Sequence, residues 1–399
     1  MKARVLIFFI VLLMALPLDA MRLARYPFTR PDKSVLQYPG GSSPDYSLFL
    51  RKLDTLLTTG AGDVKVLQIG GSHVQGGTLS DHLRRRVLSL RYGIDGGRGL
   101  VFPFSAAGSN TPSSYLSSWE GSWESANCLK PRGTELGLTG MAVTARDTSA
   151  RVIIDLVLKE NKILQQHYAF NKVDVLGEGS MEPVLILNGR DTVNGVHGPR
   201  MSHFDLPYYT DWLQLSFRGK GSYTLRGLYL DRPNSGFTLS EAGVNGASTH
   251  SWLQCSLLTE DLRRVMPDLV LLSVGINDIQ GADFDVVRFK ANYRALIREI
   301  RKVNPHCALL FTGINDSWRR GAGVNEHTAE AQKAFRDLAA EYKAVFWDWY
   351  EVMGGYGSMA QWEAAGLAQP DKIHFTPLGY REVADYLFDA ILQDYYSRR

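Results

Sequence analysis

Apolar positions near the start of the chain first follow a helical period and then a strand. Between residues 43 and 60 they recur at helical spacing, which predicts an amphipathic helix that begins at Ser43-Pro44 and ends at Gly60. The apolar run at residues 64–69 predicts a short strand, and a second helical stripe extends to residue 88. A strand, a tight turn and a helix in this order form the start of an α/β unit.

The pattern changes over residues 106–235, where short alternating segments replace the helical stripes. Gly, Asn and Asp separate these segments, as at Asn188-Gly189 and Asn194-Gly195. Short alternating segments with turn residues between them predict an antiparallel β-sandwich. The segments are residues 151–158, 183–187, 213–217 and 223–230.

The α/β pattern returns from residue 236. Apolar strands alternate with amphipathic helices, which predicts a mostly parallel, doubly wound sheet of the flavodoxin-like type. The sequence therefore predicts one α/β domain that an antiparallel β-sandwich interrupts. The predicted strands are residues 269–274, 308–311 and 344–347, and the predicted helices are residues 284–303, 326–342 and 377–392.

Residues 1–20 have the pattern of a secretory signal peptide. Lys2 and Arg4 precede an apolar run of 12 residues, 5–16. This length suits the core of a signal peptide and is shorter than the roughly 20 residues that cross a bilayer. We expect cleavage after Ala20 and a periplasmic or secreted protein, with an uncleaved short anchor as the alternative.

Composition and charge exclude several classes of protein. Hydrophobic residues make up 45% of the 399 residues and charged residues 21%, which excludes a disordered or collagen-like chain. The net charge is +3 and no basic run extends beyond residues 84–86, so nucleic-acid binding has no support. Three cysteines, Cys128, Cys255 and Cys307, allow at most one disulfide and lack metal-site spacing. Cys307 lies in an apolar run and is expected in the core.

Four polar sites follow predicted strands, and ligands of an open α/β sheet bind at the carboxyl ends of its strands. The first site is Ser72, which follows the strand at residues 64–69 and precedes a helix. A serine on such a turn is exposed as a nucleophile, and its backbone N–H can face an oxyanion. An ordinary helix N-cap is the alternative interpretation.

Two further sites offer hydrogen-bond donors. Gly246 follows the strand near Phe237, and without a side chain its N–H can approach a bound oxygen closely. Asn277 follows the strand at residues 269–274 and carries an amide that suits an oxyanion hole. The tetrapeptide Gly-Ile-Asn-Asp recurs around Asn315, but in the strand order 2-1-3-4-5 the third strand adjoins the first, which favours Asn277. Ordinary turn or capping roles are the alternatives for both donors.

The fourth site pairs an acid with a histidine. Asp371 and His374 lie in a loop just before Pro377 and the last predicted helix. Histidine can accept a serine proton near neutral pH, and an aspartate three residues earlier can fix its tautomer and orientation. A surface histidine without a catalytic role is the alternative. His73 adjoins Ser72 but, on a tight turn, is expected to point elsewhere.

Together these sites resemble the four sequence blocks of the SGNH (GDSL-type) hydrolase superfamily. The blocks correspond to Gly70-Gly71-Ser72, Gly246, Gly275-Ile276-Asn277-Asp278 and Asp371-Lys372-Ile373-His374. The last block continues to Gly379 in the pattern Asp-x-x-His-x-x-x-x-Gly. The resemblance covers residues 64–105 and 236–395.

The resemblance implies a role for each block. It implies that Ser72 is the nucleophile, that His374 is the base and that Asp371 orients the base. It also implies an oxyanion hole made by the N–H groups of Ser72 and Gly246 and by the Asn277 amide. The mechanism that it implies requires no cofactor and no metal.

The position of the predicted β-sandwich, between the first and second blocks, resembles bacterial peptidoglycan O-acetylesterases, in which a carbohydrate-binding-like domain interrupts the SGNH domain. Residues 96–102 are also similar to that group. The resemblance implies an acetylated glycan, above all peptidoglycan, as substrate. We expect a monomer with no nucleic-acid partner and no membrane span after signal cleavage. Candidate sugar-stacking residues, for which core packing is the alternative, are Trp119, Trp123, Tyr168, Tyr208, Tyr209 and Trp212.

The predicted domain organisation has five parts. They are a signal peptide at 1–20, an N-terminal tether and helix at 21–63, the first part of the SGNH domain at 64–105, the inserted β-sandwich at 106–235 and the second part of the SGNH domain at 236–399.

Other functions remain open from the sequence. Gly71 stands where the family usually has aspartate, which favours a non-catalytic glycan-binding protein on an SGNH scaffold as one alternative. An O-acetyltransferase would use the same residues with a sugar hydroxyl in place of water. An esterase acting on acetylated xylan or sialic acid is a further alternative.

Overall fold

The structure is a computed structural model that describes residues 26–157, 168–233, 236–319 and 321–398. The predicted signal peptide at residues 1–20 lies outside the described residues. Within the described ranges, no helix is both long enough and apolar enough to cross a membrane.

The α/β part of the chain is organised around the strand Asp63–Gly70, most of which is buried. This strand pairs in parallel with Gly236–Gly243 on one side and with Leu269–Ser273 on the other. Ala308–Phe311 and Val345–Trp347 continue the sheet in parallel beyond Leu269–Ser273. Counted along the chain, these strands have the predicted order 2-1-3-4-5, and the predicted fold class is confirmed.

The polar segment predicted as a tether packs against the sheet in its described part. Leu36–Gln37 pairs antiparallel with Val345–Trp347 and adds an edge strand. The Ser34 hydroxyl donates to the Tyr386 carbonyl at 2.7 Å and accepts from the Trp347 indole N–H at 3.0 Å. The tether prediction is wrong for these residues, because a two-residue edge strand is too short to leave an apolar pattern in the sequence.

The longer helices of the α/β part form where the sequence predicts them, whereas the helices of eight residues or fewer after residue 248 were not predicted. Pro44–Thr59 buries the apolar stripe between Tyr46 and Leu56, and it ends at Gly60, whose left-handed backbone (φ +76°) lets its N–H donate to the Leu56 carbonyl. The other helices are Ser72–Gln75, Thr78–Leu88, Thr249–Trp252, Leu258–Val265, Val286–Val303, Thr328–Glu341, Trp349–Met353, Ser358–Ala364 and Pro377–Ser397, with a 3₁₀ turn at Pro31–Lys33 and a small hairpin of Trp318–Arg319 with Gly323–Val324.

Between Asp63–Gly70 and Gly236–Gly243, the described residues form two antiparallel sheets, which we call the insert together with their loops. One sheet has the strand order Asp191–Asn194, Glu182–Leu187, Trp212–Arg218, Arg151–Asp155 and Leu116–Glu120. The other has the order Val196–His197, Met201–Thr210, Phe170–Gly179, Tyr223–Asp231, Met141–Ala145 and Trp123–Asn127. Gly99–Val101 also pairs with Tyr223–Asp231, so the second sheet begins before the predicted boundary at residue 106.

The three cysteines do not cross-link the fold. Cys128, Cys255 and Cys307 are all buried free thiols. Cys307 is fully buried beside the strand Ala308–Phe311, as predicted for a core residue. The structure is thus held by packing and hydrogen bonds and not by a disulfide.

A buried ion cluster joins the insert to the α/β part. The Glu241 carboxylate, on the strand Gly236–Gly243, accepts from the Arg84 guanidinium at 3.0 Å and from that of Arg98 at 2.9 Å. Arg98 also donates to the Ser114 hydroxyl at 2.7 Å, near the start of the insert. Both guanidinium groups are fully buried, and Glu241 is the carboxylate that they share.

We expect Glu241→Gln to lower the free energy of unfolding by about 3–5 kcal/mol, because the amide leaves two buried guanidinium charges with one anion fewer. Equilibrium unfolding in urea measures the change. Glu124→Gln is the matched control, since Glu124 and its partner Arg146 are 62% and 60% exposed and such surface pairs contribute little. Equal losses in the two variants would contradict the role assigned to the cluster.

Candidate active site

Ser72 lies on the tight turn between the central strand and a short helix. The backbone N–H groups of Val74 and Gln75 donate to the Gly71 carbonyl at 3.1 and 3.0 Å, so Gly71 is the N-cap residue. Ser72 is therefore the first helical residue and not the N-cap. A side chain on Gly70 would collide with Val74, which explains a glycine where the helix crosses the end of the strand.

Ser72, His374 and Asp371 form a continuous hydrogen-bonded chain. Ser72 Oγ lies 2.6 Å from His374 Nε2, although the two residues are 302 positions apart in the sequence. Nδ1 of the same ring lies 2.7 Å from Asp371 Oδ2. A carboxylate at Nδ1 favours the tautomer whose Nε2 is an acceptor, so His374 is placed to accept the Ser72 proton.

Asp371 is held as an anion by its own loop. Its Oδ1 accepts the backbone N–H groups of Ile373 at 2.9 Å and His374 at 3.0 Å. Partial burial favours the neutral acid, but these N–H groups and the His374 ring outweigh it and hold the pKa of Asp371 below its ordinary value. The carboxylate is therefore ionised near neutral pH.

Gly246 and Asn277 belong to loops that contact the serine turn. A Cβ placed on Gly71 would lie 3.1 Å from the Asn277 amide nitrogen and 3.4 Å from the Ala247 carbonyl oxygen. The same amide nitrogen donates to the Ala247 carbonyl at 2.9 Å, which ties the two loops together. Gly246 has a left-handed backbone (φ +80°), a conformation that favours glycine. The structure thus places the Asn277 amide and the loop of Gly246 against Gly71, the residue that precedes Ser72.

The same contacts show how closely position 71 is surrounded, where SGNH hydrolases usually have aspartate. The Asn277 amide is closer to the Cβ position of Gly71 than side chains normally pack. A Cβ here would require the Asn277 amide to shift by a few tenths of an ångström, whereas the Ala247 carbonyl lies at ordinary contact distance. The hydrogen bonds that link Ser72, His374 and Asp371 form without an aspartate at position 71.

A polar network that the sequence did not reveal fixes the loop of Gly246. Gln75 Oε1 accepts the backbone N–H of Asn245 at 2.7 Å. Gln75 Nε2 donates to Ser109 Oγ at 2.7 Å and to the Asn110 carbonyl at 3.0 Å, and Asn245 Nδ2 donates to Asn110 Oδ1 at 2.6 Å. Because Gln75 lies in the helix that begins with Ser72, the serine and the donor loop are positioned by one element.

Asp278 anchors the segment that follows Gly246. Its carboxylate accepts the backbone N–H of Thr249 at 3.0 Å, and Asn292 Nδ2 donates to Thr249 Oγ1 at the same distance. Burial raises the pKa of Asp278 to about 6, although the hydrogen bonds from Thr249 act in the opposite direction. The loops of Gly246 and Asn277 are therefore locked to each other at two points.

The second Gly-Ile-Asn-Asp copy supports the histidine loop. Asn315 is fully buried, and its amide nitrogen donates to the carbonyls of Asp316 at 2.8 Å and Ile373 at 3.0 Å. Ile373 directly precedes His374. Asn315 therefore supports the loop of His374 through the backbone. Asn277 follows the strand next to the central strand Asp63–Gly70 and lies at the serine turn.

His73 lies against the His374 ring, contrary to the expectation from the sequence. The ring centroids are 5.3 Å apart, and His73 Nδ1 lies 2.8 Å from the Tyr380 hydroxyl. Trp349 and Phe375 complete the aromatic surroundings of His73. Burial, followed by the nearby His374, lowers the pKa of His73 to about 3, so this ring is neutral near neutral pH.

The candidate sugar-stacking residues differ in exposure. Three lie on the surface of the insert: Trp119, Tyr208 and Tyr209. Trp123 and Trp212 are half-buried. Tyr168 is 5% exposed and packs in the core with the Arg84 guanidinium over its ring, so the stacking prediction is wrong for Tyr168.

The grouped side chains are suited to nucleophilic acyl transfer. A hydroxyl contacts a base, the base contacts a carboxylate, and the Asn277 amide lies against Gly71, the residue before the serine. In the described part of the chain, no group of three or more His, Cys, Asp or Glu side chains is placed to hold a metal ion.

Residues 209–382 match the model of the GDSL-like Lipase/Acylhydrolase family. The match is just under half of the chain and includes the blocks of Gly246, Asn277 and His374. It begins after Ser72, so the place of the serine in the site rests on the geometry above. No curated protein matches the chain.

Solved structures provide a second comparison. A structure described as "Peptidoglycan O-acetylesterase in action, 5 min" aligns with 91% of this chain and 99% of its own, at 25% identity and a TM-score of 0.74. A family two carbohydrate esterase from Cellvibrio japonicus aligns with 70% of this chain and 100% of its own, at 13% identity and a TM-score of 0.30. The acetyl xylan esterase AlAXEase aligns with 39% of this chain and 81% of its own, at 21% identity and a TM-score of 0.30. The last two scores are too low to carry an argument.

The family match and the first structural match confirm the resemblance to SGNH (GDSL-type) hydrolases. The protein is a carboxylic ester hydrolase of this fold. Its architecture, including the insert, resembles peptidoglycan O-acetylesterases.

We expect the stability of the protein to fall as the pH decreases from about 6.5 towards 3, in part through His73. Over this range the unfolded chain protonates this ring and the folded protein does not, so protons favour unfolding. In His73→Phe this contribution is absent, and the free energy of unfolding, measured with urea at several pH values, should depend less on pH. His306→Phe, at an exposed ring, controls for the substitution itself. Identical pH dependence in His73→Phe and the wild type would contradict the buried neutral state of His73.

Proposed function

We propose that this protein is an exported serine esterase that removes O-acetyl groups from a glycan, above all peptidoglycan. One observation carries the proposal: the Ser72 hydroxyl lies 2.6 Å from an imidazole whose other nitrogen lies 2.7 Å from a carboxylate. The architecture shared with a peptidoglycan O-acetylesterase supports the choice of substrate.

The proposed reaction begins with attack of Ser72 Oγ on the ester carbonyl. His374 Nε2 accepts the serine proton, and Asp371 stabilises the imidazolium that results. The backbone N–H groups of Ser72 and Gly246 and the Asn277 amide bind the oxyanion of the tetrahedral intermediate. One such donor contributes about 3–4 kcal/mol to the transition state.

Loss of the sugar completes the first half of the reaction, and hydrolysis of the acetyl-serine is the second half. His374 gives its proton to the leaving sugar oxygen, and an acetyl group remains on Ser72. His374 then activates a water molecule, which attacks the acetyl-serine and releases acetate. The scheme uses only protein side chains, backbone N–H groups and water.

The proposed location and partners follow from the same account. The signal-like pattern of residues 1–20 supports export to the periplasm or the medium. We propose that the protein acts as a monomer on acetylated glycan. We also propose that the domain boundaries are those predicted from the sequence, except that Leu36–Gln37 joins the sheet of the α/β part and Gly99–Val101 joins the insert.

We propose that the insert helps to hold the glycan. A groove of about 760 Å³ on its second sheet includes Trp123, Arg132, Glu135 and Arg146. An aromatic ring among charged and polar side chains is suited to a sugar, which has apolar faces and many hydroxyl groups. This groove supports a carbohydrate-binding role more directly than the exposed aromatic residues elsewhere on the insert.

The test is acetate release from acetylated peptidoglycan, acetylated xylan and O-acetylated sialoglycan, measured in parallel. We expect the highest rate on peptidoglycan and a loss of at least about a thousandfold in Ser72→Ala, because the nucleophile is removed. Ser149→Ala, at an exposed serine of the insert, should retain wild-type activity.

Two other outcomes would contradict the proposal, and each would indicate a different function. Equal, negligible rates on every ester in the wild type and in Ser72→Ala would indicate a non-catalytic glycan-binding protein. Capture of most of the acetyl group by an added glycan acceptor would indicate an O-acetyltransferase.

The two Gly-Ile-Asn-Asp copies allow a matched test of the oxyanion hole. We expect Asn277→Ala to lower kcat by about 100- to 1000-fold, because one donor to the oxyanion is lost. Asn315→Ala should instead lower the free energy of unfolding by about 1–3 kcal/mol, because two buried carbonyl groups lose their amide donor. Steady-state kinetics and urea unfolding of both variants measure the difference. A larger loss of kcat in Asn315→Ala would contradict the assignment.

A further inference from the structure

Leu129 is an exposed apolar side chain of the insert that lies against Gly246, one of the residues of the proposed oxyanion hole. It is 44% exposed. Its Cδ2 atom lies 3.0 Å from the position that a Cβ on Gly246 would occupy. Apart from the immediate neighbours of Gly246, no other atom of the described residues lies within 4 Å of that position.

The turn that carries Leu129 is fixed by its backbone. Asn127 Oδ1 accepts the N–H groups of Leu129 and Lys130, both at 3.1 Å. The N–H of Cys128 donates to the Gly140 carbonyl at 2.8 Å, which ties the turn to the next loop of the insert. The position of Leu129 therefore does not depend on packing of its own side chain, and the exposed isobutyl group is free to contact a ligand.

We propose that Leu129 forms the wall of the pocket that holds the acyl group and restricts the enzyme to acetyl and similarly short acyl groups. The inference rests on the proposed function, because it takes the ester carbonyl oxygen to bind at Gly246. A carbonyl carbon bound there carries two substituents, the acyl chain and the sugar oxygen. The isobutyl group at Gly246 suits the wholly apolar acyl methyl, whereas it can form no hydrogen bond with the hydroxyl groups of the sugar.

This placement assigns chain-length selection to the insert. An acetyl methyl fits beside Leu129, and each further methylene of a longer acyl chain must displace its side chain. A pocket discriminates by about tenfold or more for each methylene that it cannot accommodate. Shortening residue 129 should therefore admit longer chains without altering Ser72, His374 or the donors.

The experiment compares kcat/KM for p-nitrophenyl acetate and p-nitrophenyl butyrate. We expect Leu129→Ala to raise the butyrate-to-acetate ratio by about tenfold with an unchanged Tm, because the side chain is exposed on a fixed turn. Leu129→Met, which keeps the volume, should retain the wild-type ratio. Leu116→Ala removes another exposed leucine of the insert (55% exposed) and should also leave the ratio unchanged.

An unchanged ratio in Leu129→Ala would overturn the inference, as would an equal loss of rate on both esters. A higher KM for acetylated glycan with an unchanged ester ratio would place Leu129 on the sugar side and would overturn it as well. Ser72→Ala, assayed in parallel, separates this result from failure of the proposed function. If Ser72→Ala is inactive while the ratio in Leu129→Ala is unchanged, only the inference about Leu129 fails.

Discussion

The candidate site depends on the parallel pairing of one central strand with its two neighbours. Gly70, the last residue of Asp63–Gly70, is in register with Gly243 on one side and with Ser273 on the other. The loops that carry Ser72, Gly246 and Asn277 therefore leave the sheet at one level. These loops lie close together because their strands are neighbours in the sheet and not because they are close in the sequence. The insert can therefore separate the loop of Ser72 from the loop of Gly246 along the chain.

The insert is part of the site and not an appendage. The Asn110 contacts to Gln75 and Asn245 fix the donor loop, and Leu129 lies over Gly246. The shared carboxylate of Glu241 holds the two parts together away from the site. Hydrolysis in this protein is thus expected to depend on the insert.

Local sequence patterns were sufficient to predict the parallel strands of the central sheet, their order and the longer helices. They also favoured Asn277 over the identical tetrapeptide at Asn315, because only strand order distinguishes the two. They failed where the information is not local. The edge strand Leu36–Gln37 is too short to leave a periodic signal, and the contact of His73 with His374 joins residues 301 positions apart (374 − 73). Tyr168 illustrates the same limit, since the sequence around an aromatic residue does not show whether its ring is buried in the core or exposed to a ligand.

The most direct test of the account is covalent labelling of the nucleophile. A fluorophosphonate forms a stable bond with a serine that is activated by a histidine, and mass spectrometry of the digested protein locates it. The account predicts loss of esterase activity in proportion to labelling, with one label per chain on Ser72 and none in His374→Ala over the same period. Inactivation with the label on a different residue, or full activity with Ser72 labelled, would contradict it.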